Sequence, residues 1–546
     1  KIFKTVCNGY CSKIIQVRCL CVIIFFCLLI KKKMLTIFSF TNFWVDLIIF
    51  VTILFSIIYY YCISTFNVWK KLNVPYIRPI PLFGNYLNVA LGIDHPIETY
   101  KKIYYELAGH KYGGMFQMRT PYLMIRDPEI INNILIKDFS YFTDRGIYVN
   151  FSNEPLSEVL FLMNNPRWKI LRSKLSPAFT SGKLKQMYSQ IEECGNVMID
   201  NICSELKKNP KEIDVRDILG QYSTDVIGTC SFGLKLNVAS DDTSLFRSFG
   251  KTAFQSSLLY FFREICVMIS PAIMNIIRLP FFPNKTTAFF GSVFKETMAY
   301  RKKHNIVRND IVHCLIQAHQ DLVVDNNSSN DVGLTGSQIL SNAFGFFAAG
   351  FETTSTTLSF CLYELALKKN IQDRVREEIK FTKIKHNGII NNEFLNDLIY
   401  LDMVIAETIR KYPVLFALFR VATKTYHVPN DSLIIEKGQK IIIPTFSLHF
   451  DPRYFSDPEV FNPERFSAEE NAKRPNGVYL PFGNGPRICI GKRFAEMEMK
   501  LALVDILSKF EVEPCEKTEI PIQFSKLSLL VIPKDEKVWL KLNSIS

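Results

Sequence analysis

The chain has 546 residues, 48% of them apolar and 21% charged, which excludes a disordered tail, a disulfide-rich miniprotein and a collagen-like fibre. Its formal net charge of +13 is weighted to the start: residues 1–33 hold seven basic and no acidic residues, leaving 58 basic against 52 acidic beyond them. A nucleic-acid binder gathers its basic excess on one motif-bearing face; no such motif is visible, so nucleic acid is not expected as a partner. Of the 14 Cys, five lie in residues 1–33 and the other nine show no metal-type spacing, which fits a reducing compartment.

In chain order, residues 1–33 end in a 12-residue apolar run, Cys19–Ile30, too short to span a bilayer, followed by Lys31–Lys33. They read as a non-native upstream extension ahead of Met34. The 20-residue apolar segment Trp44–Ile63 matches a hydrocarbon core of about 30 Å, so residues 34–72 are expected to form an N-terminal membrane anchor. Lys70, Lys71 and Arg78 follow it, and the positive-inside rule then leaves the large domain in the cytosol. Pro75, Pro79, Pro81 and Gly84 make residues 73–85 a stiff hinge. Residues 86–546 read as one mainly α domain with a smaller β-rich part. Within it, Asp325–Asp331 is a polar surface loop, and Thr335 to about Lys369 is a long helix opened by a Thr335/Gln338 capping box. Ser432–Pro444 carries two apolar runs around a Lys-Gly turn and belongs to the β part.

The most specific pattern is PFGNGPRICIG (Pro481–Gly491), followed by a helical pattern to Phe510. Five specified residues, Phe482, Gly485, Arg487, Cys489 and Gly491, recur by chance on the order of once in ten thousand such chains. Its glycines let the backbone fold tightly beneath a flat ligand, and a helix N-terminus beside Cys489 favours a thiolate. A second pattern, AAGFETT (Ala348–Thr354), lies on the long helix, where Gly350 loosens the turn and Thr353 and Thr354 can bond back to carbonyls.

On these residues the chain resembles the cytochrome P-450 family, from the anchor to nearly its last residue. The resemblance implies the family's mainly α fold preceded by a transmembrane helix, and haem b (iron protoporphyrin) ligated through Cys489. It implies an acid–alcohol pair, Glu352 and Thr353, that delivers protons to bound dioxygen. It assigns cofactor binding to Arg487 and Phe482 in the cysteine loop, Trp168 and Arg172 at i, i+4 in one helix, Arg145 in FTDRG and Arg420 in FRVA. Glu407 and Arg410, with Arg465 of FNPERF, would form a buried structural charge network.

The implied reaction is a monooxygenation of a lipophilic small molecule by O2, in the endoplasmic reticulum membrane. No dinucleotide fingerprint or flavin domain is visible, so electrons from NADPH must come through a separate NADPH–cytochrome P-450 reductase, with cytochrome b5 as a further partner. Lys169, Lys174, Lys183, Lys185, Lys492 and Arg493 would offer that partner a basic face. The Phe-rich stretch 254–294 resembles the family's membrane-dipping access region. The spacing resembles insect members that oxidise xenobiotics and plant toxins. A hormone, steroid or fatty-acid hydroxylase, and a non-catalytic membrane haem-binding protein, remain as alternatives. Residues between Arg145 and Trp168, Leu340–Phe347, Val414–Leu418 and Phe524–Leu530 are expected to line the pocket.

Overall fold

The computed structural model describes residues 43–545 apart from 152–153, 235, 237–244, 255–257, 271–272, 307, 309, 314, 318–334 and 529. The upstream extension and the Asp325–Asp331 loop lie outside the described residues. The chain divides into two compact units at Ser64/Thr65. In the first, helix α1 (Phe43–Ile63) has mean hydropathy 2.1 and no buried residue, and it is long and apolar enough to cross a membrane. Its Thr52 and Ser56 hydroxyls donate to the carbonyls of Ile48 and Thr52 (2.7 and 2.8 Å), so both are satisfied within the helix.

The second unit runs from Thr65, so residues 65–72, grouped with the anchor by sequence, pack with the body. Trp69 is buried there and its indole donates to the Met115 carbonyl at 3.3 Å. The proline-rich stretch is tied to strand β1 (Tyr112–Gln117): Gly114 N–H donates to Pro75 O (2.7 Å) and Ile77 N–H to Gly114 O (3.1 Å).

Strands β2 (Thr120–Ile125), β3 (Ile213–Asp214), β4 (Leu418–Val421), β5 (Tyr426–His427), β6 (Ile434–Ile435), β7 (Lys440–Ile443), β8 (Phe510–Pro514) and β9 (Trp539–Ser544) complete three small sheets. These are ordered β1-β2-β7-β4, β3-β9-β8 and β5-β6. Pairing is antiparallel except between β2 and β7. The Lys-Gly turn forms, with Gly438 at φ 91°. The apolar runs on either side of it do not pair with one another: β6 joins β5, whereas β7 inserts between β2 and β4. Two-residue β6 is too short to cross a sheet, and the three successive isoleucines of β7, all buried, suit a central strand.

Of the helices, those that bear on function are α2 (Pro96–Glu106), α3 (Arg167–Leu175), α4 (Ser181–Lys208), α5 (Val215–Ile227), α6 (Leu258–Ile269), α7 (Asn284–Lys303), α8 (Gly336–Leu367), α9 (Lys369–Lys385), α10 (Ile399–Lys411) and α11 (Lys492–Lys509). The capping box closes as the sequence expects: Gln338 N–H donates to Thr335 Oγ1 (3.2 Å) and Thr335 N–H to Gln338 Oε1 (3.1 Å). The 32 residues of α8 reach about 48 Å and run through the helical core. Gly350 serves packing: a Cβ there would lie 2.8 Å from Ile227 Cδ1, so its absence lets α8 and α5 approach. Of the expected pocket residues, Phe344 and Phe347 turn instead into an aromatic cluster with Phe282 and Phe290, at centroid distances of 4.9–5.0 Å. The Phe-rich stretch is therefore divided: Phe282 and Phe290 are core, while Phe262 on α6 is exposed.

The charge network forms in full. Glu407 takes bonds from Arg410 Nε and Nη2 (2.6 and 2.9 Å), from Arg465 Nε (3.3 Å) and from Asn462 N–H (2.9 Å). Arg410 Nη1 reaches the His449 carbonyl at 2.9 Å, and His449 Nε2 accepts the Leu480 N–H at 3.0 Å. Burial pushes the His449 imidazole down to about 3, which keeps it neutral and able to accept. The network thus ends at the first residues of the cysteine loop. Glu407→Ala leaves two buried guanidinium groups without their carboxylate; a loss of about 3–5 kcal/mol is expected, read as failure of folded protein to accumulate.

A second buried carboxyl has no cation beside it among the described residues. Glu498 on α11 faces Ser223 of α5 and Thr354 of α8, and burial pushes it up to about 8 from an ordinary 4.5. Its neighbours Tyr222, Cys194 and Cys230 are themselves pushed up by burial and so stay neutral. The folded state holds this proton more tightly than the unfolded one. Stability therefore falls as pH rises from 4.5 to about 8, by roughly 1.4 kcal/mol per unit at most, and is flat beyond. Glu498→Gln should remove that slope, so that its melting temperature matches the parent near pH 5 and exceeds it near pH 8.

Candidate active site

The cysteine loop is built by its backbone. Gly483 and Gly485 take φ of 73° and 70°, where side chains are disfavoured, and a Cβ on Gly485 would fall 1.8 Å from the Leu135 carbonyl oxygen. A tight turn over Gly485–Arg487 closes with Ile488 N–H on Gly485 O (3.0 Å), and Cys489 N–H donates to Phe482 O at 2.9 Å. Phe482 is half-buried against the helical core, so its carbonyl position is held by its ring. Helix α11 opens three residues after Cys489. The Cys489 side chain is accessible, yet protein surrounds it closely enough that burial pushes the thiol up; it opens on an interior cleft. The Gly491 amide and the Arg172 and Arg145 charges act the other way.

Four arginines converge on this cleft from separate parts of the chain. Arg487 is buried, donating from Nε to Thr143 O (2.5 Å) and from Nη2 to Met163 O (2.8 Å), with its guanidinium over the Trp168 ring at 4.2 Å. Arg172 Nη1 donates to Ile488 O at 3.0 Å. Arg145 Nη1 donates to Phe161 O (2.7 Å) and lies 4.1 Å from that ring's centre. Arg420, on β4, donates to Phe419 O at 2.8 Å. Among the described residues, Asp144, 3.8 Å from Arg487 Nη2, is the one carboxylate within 4.0 Å of any of these guanidinium groups. Burial followed by mutual repulsion pulls Arg487 down to about 9 and lowers Arg145; burial takes Arg420 to about 10. Arg487 Nη1 and Arg420 Nε have no partner among the described residues.

Helix α8 carries Asn342, Gly345, Phe346 and Thr353 on one face at helical spacing. Asn342 Oδ1 accepts the Leu160 N–H (2.8 Å), a Cβ on Gly345 would meet Val159 at 2.9 Å, and Phe346 packs on Phe179 at 5.3 Å. Phe179 in turn lies 3.8 Å from the Cβ position of Gly491, which closes the circuit to the cysteine loop. Thr353 is half-buried and its hydroxyl donates to Ala349 O at 2.7 Å. Glu352, one residue earlier, is turned about 100° away. Its carboxylate is buried, ion-paired with Arg216 of α5 and bonded by Thr356 Oγ1 (3.2 Å). Arg216 is held on its other side by Glu536 O at 2.8 Å. The two residues are adjacent in sequence and face different environments.

The family model described as Cytochrome P450 matches residues 74–540. The chain belongs to this family. It is 38% identical to probable cytochrome P450 6a13 of Drosophila melanogaster, over 88% of this chain and 95% of that protein. It is also 38% identical to cytochrome P450 6k1 of Blattella germanica (88% and 94%) and 35% identical to cytochrome P450 9e2 of the same insect (86% and 93%). It is therefore a monooxygenase, and its prosthetic group is haem b.

The residues of this P450 fit that group. Haem carries two carboxylates and an iron that accepts a thiolate; the cleft supplies one thiol, guanidinium groups in excess of carboxylates, and two buried guanidinium nitrogens without a partner. Residues not foreseen from the sequence are Arg216, which restrains Glu352, and Asp144, which accepts the Asn165 N–H (2.8 Å) beside Arg487. Arg216 lies 136 positions from Glu352, and nothing local in the sequence couples them. Asp144 stood in view as the residue before Arg145. Gly485→Ala should abolish haem incorporation, because the new Cβ meets a backbone carbonyl. Gly483→Ala, whose nearest neighbour is 3.9 Å away, should keep haem and cost about 1–2 kcal/mol for its positive φ. The haem-to-protein absorbance ratio distinguishes the two.

Proposed function

We propose that this P450 is a membrane-anchored enzyme of the endoplasmic reticulum, catalytic body in the cytosol, that inserts one oxygen atom from O2 into lipophilic foreign compounds such as plant toxins. NADPH–cytochrome P-450 reductase supplies the electrons, with cytochrome b5 as a second donor. The observation that carries this reading is the accessible Cys489 thiol facing four incompletely neutralised arginines. Cys489 would ligate the iron, Arg145, Arg172, Arg420 and Arg487 would hold the propionates, and Trp168 and Phe482 would fix Arg487 and the loop. Thiolate-ligated haem supplies the capacity to bind dioxygen and favour cleavage of its O–O bond. The chain's own part is proton supply: Thr353 Oγ1, donating to Ala349 O, keeps its lone pairs toward the cleft. Glu352 must exchange Arg216 for the cleft before its carboxyl can deliver a proton there.

Other features support the setting. Helix α1 suits an anchor, and in the second unit Leu259, Phe262, Ile276 and Ile277 are exposed apolar side chains, as expected of a surface that meets lipid-soluble compounds. Arg493 Nη1 reaches Ser181 Oγ at 3.4 Å, bringing the start of α11 to that of α4 and gathering Lys185, Lys492 and Arg493 on one basic face for an acidic electron donor. The insect relatives are the basis for foreign compounds over hormones as substrates.

The test is the carbon monoxide difference spectrum of the reduced protein in membranes. A strongly red-shifted Soret band is expected, and Cys489→His should move it to the ordinary histidine-haem position. A parent band at the histidine position would overturn thiolate ligation. NADPH consumption that rises with a lipophilic substrate and requires added reductase would then separate turnover from haem storage.

A further inference from the structure

His95 is buried, at 5% exposure, and caps helix α2, its Nδ1 accepting the Ile97 N–H at 3.1 Å. Because Nδ1 accepts, the neutral ring carries its proton on Nε2. That N–H points at the backbone carbonyls of Ser528 and Leu530 without closing a well-directed bond to either. The ring face also meets Phe416 edge-on at 5.3 Å. One imidazole therefore touches two distant segments, 414–418 and 524–531, which are themselves joined by Val531 N–H on Val414 O (3.0 Å).

Both segments connect by packing to elements that carry cleft residues. Leu418 at the head of β4 comes within 3.9 Å of the Cβ position of Gly483, and Arg420 two residues on belongs to the arginine cluster. Phe524 packs edge-on against Phe360 at 6.1 Å, and Phe360 lies seven residues, about two turns, beyond Thr353 on the same face of α8. The helix cap anchors His95 from one side, and the two segments lean on its other edge. Burial holds the imidazole down to about 4, so it stays neutral, and this arrangement intact, across the physiological range.

We propose that His95 is a positioning residue that sets the height of the 414–418 and 524–531 segments over the substrate cleft, and so selects ligands by size without touching them. The proposal rests on the reading of the Cys489 cleft as the substrate site. It distinguishes the two ring nitrogens: Nδ1 serves the helix and Nε2 serves the cleft. Asparagine places an acceptor where Nδ1 sits but reaches no further, whereas glutamine places its amide near Nε2.

The experiment compares full-length parent, His95→Asn and His95→Gln in membranes, titrated with imidazole and a ladder of N-alkylimidazoles from methyl to octyl, followed by the Soret shift. His95→Asn is expected to keep the parent's carbon monoxide spectrum and its affinity for imidazole within twofold, while changing the Kd for the longest chains at least fivefold. His95→Gln should return the ladder toward the parent's. Hydrogen exchange should show faster loss of protection at Val531 in His95→Asn than in the parent. An unchanged ladder, or unchanged exchange at Val531, overturns the proposal, as does loss of haem in His95→Asn with retention in His95→Gln, which would make His95 a folding residue. If the parent itself lacks the red-shifted band, the haem-thiolate reading fails by that spectrum, and the exchange comparison still decides whether Nε2 holds the segments.

Discussion

Bringing four guanidinium groups together inside a protein is unfavourable twice over, through desolvation and through mutual repulsion. Here the chain bears both costs with one carboxylate, Asp144, in reach. What holds the arginines is mostly backbone: the carbonyls of Thr143, Met163, Phe161, Ile488 and Phe419 accept their N–H groups. Carbonyls satisfy hydrogen-bond donors while leaving the net charge in place. The site is thus organised as a positive cradle beside a thiol, complementary to a flat group that brings two carboxylates and a metal.

Elsewhere the same residue type is held around a shared carboxylate. Arg410 and Arg465 share Glu407, and their other donors go to the Ser456 hydroxyl and to the carbonyls of His449, Pro458, Asp457 and Val460, so that network is hydrogen-bonded on all sides. Through His449 it fixes Leu480, from which the cysteine loop departs. The loop's own turns then depend on Gly485 passing the Leu135 carbonyl with no side chain between. A scaffold centred on a carboxylate and a cradle centred on a thiol meet at the eleven residues of Pro481–Gly491.

Helix α8 joins these regions to the opposite wall. Its polar side chains are divided by helical geometry: Thr353 turns its hydroxyl back to Ala349 O, Glu352 goes to Arg216 on α5, and Thr354 to Glu498 on α11. Consecutive residues 100° apart cannot share a partner, which is why an acid and an alcohol written side by side begin in different surroundings. In the role proposed for it in proton supply, Glu352 has first to leave its buried ion pair with Arg216, a barrier set by α5 and not by α8 alone.

What could be read from residue order alone is local. The capping box of α8, the anchor-length helix, the glycine turns before Cys489 and the i, i+3 pairing of Glu407 with Arg410 depend on neighbours within a few residues, where steric and hydrogen-bond rules act directly. The turn that brings Phe482, Arg487 and Cys489 together was legible for the same reason, being one loop. Tertiary structure decided where the remaining partners come from: Arg216 for Glu352, two different sheets for the runs around Gly438, the aromatic core for Phe344 and Phe347, and His95 beneath residues 414–418 and 524–531. Apart from the short β5–β6 pair, those pairings join residues separated by tens to hundreds of positions. Which of many similar arginines, isoleucines or phenylalanines fills each place is settled only when burial removes water and every polar group must find its partner within the fold.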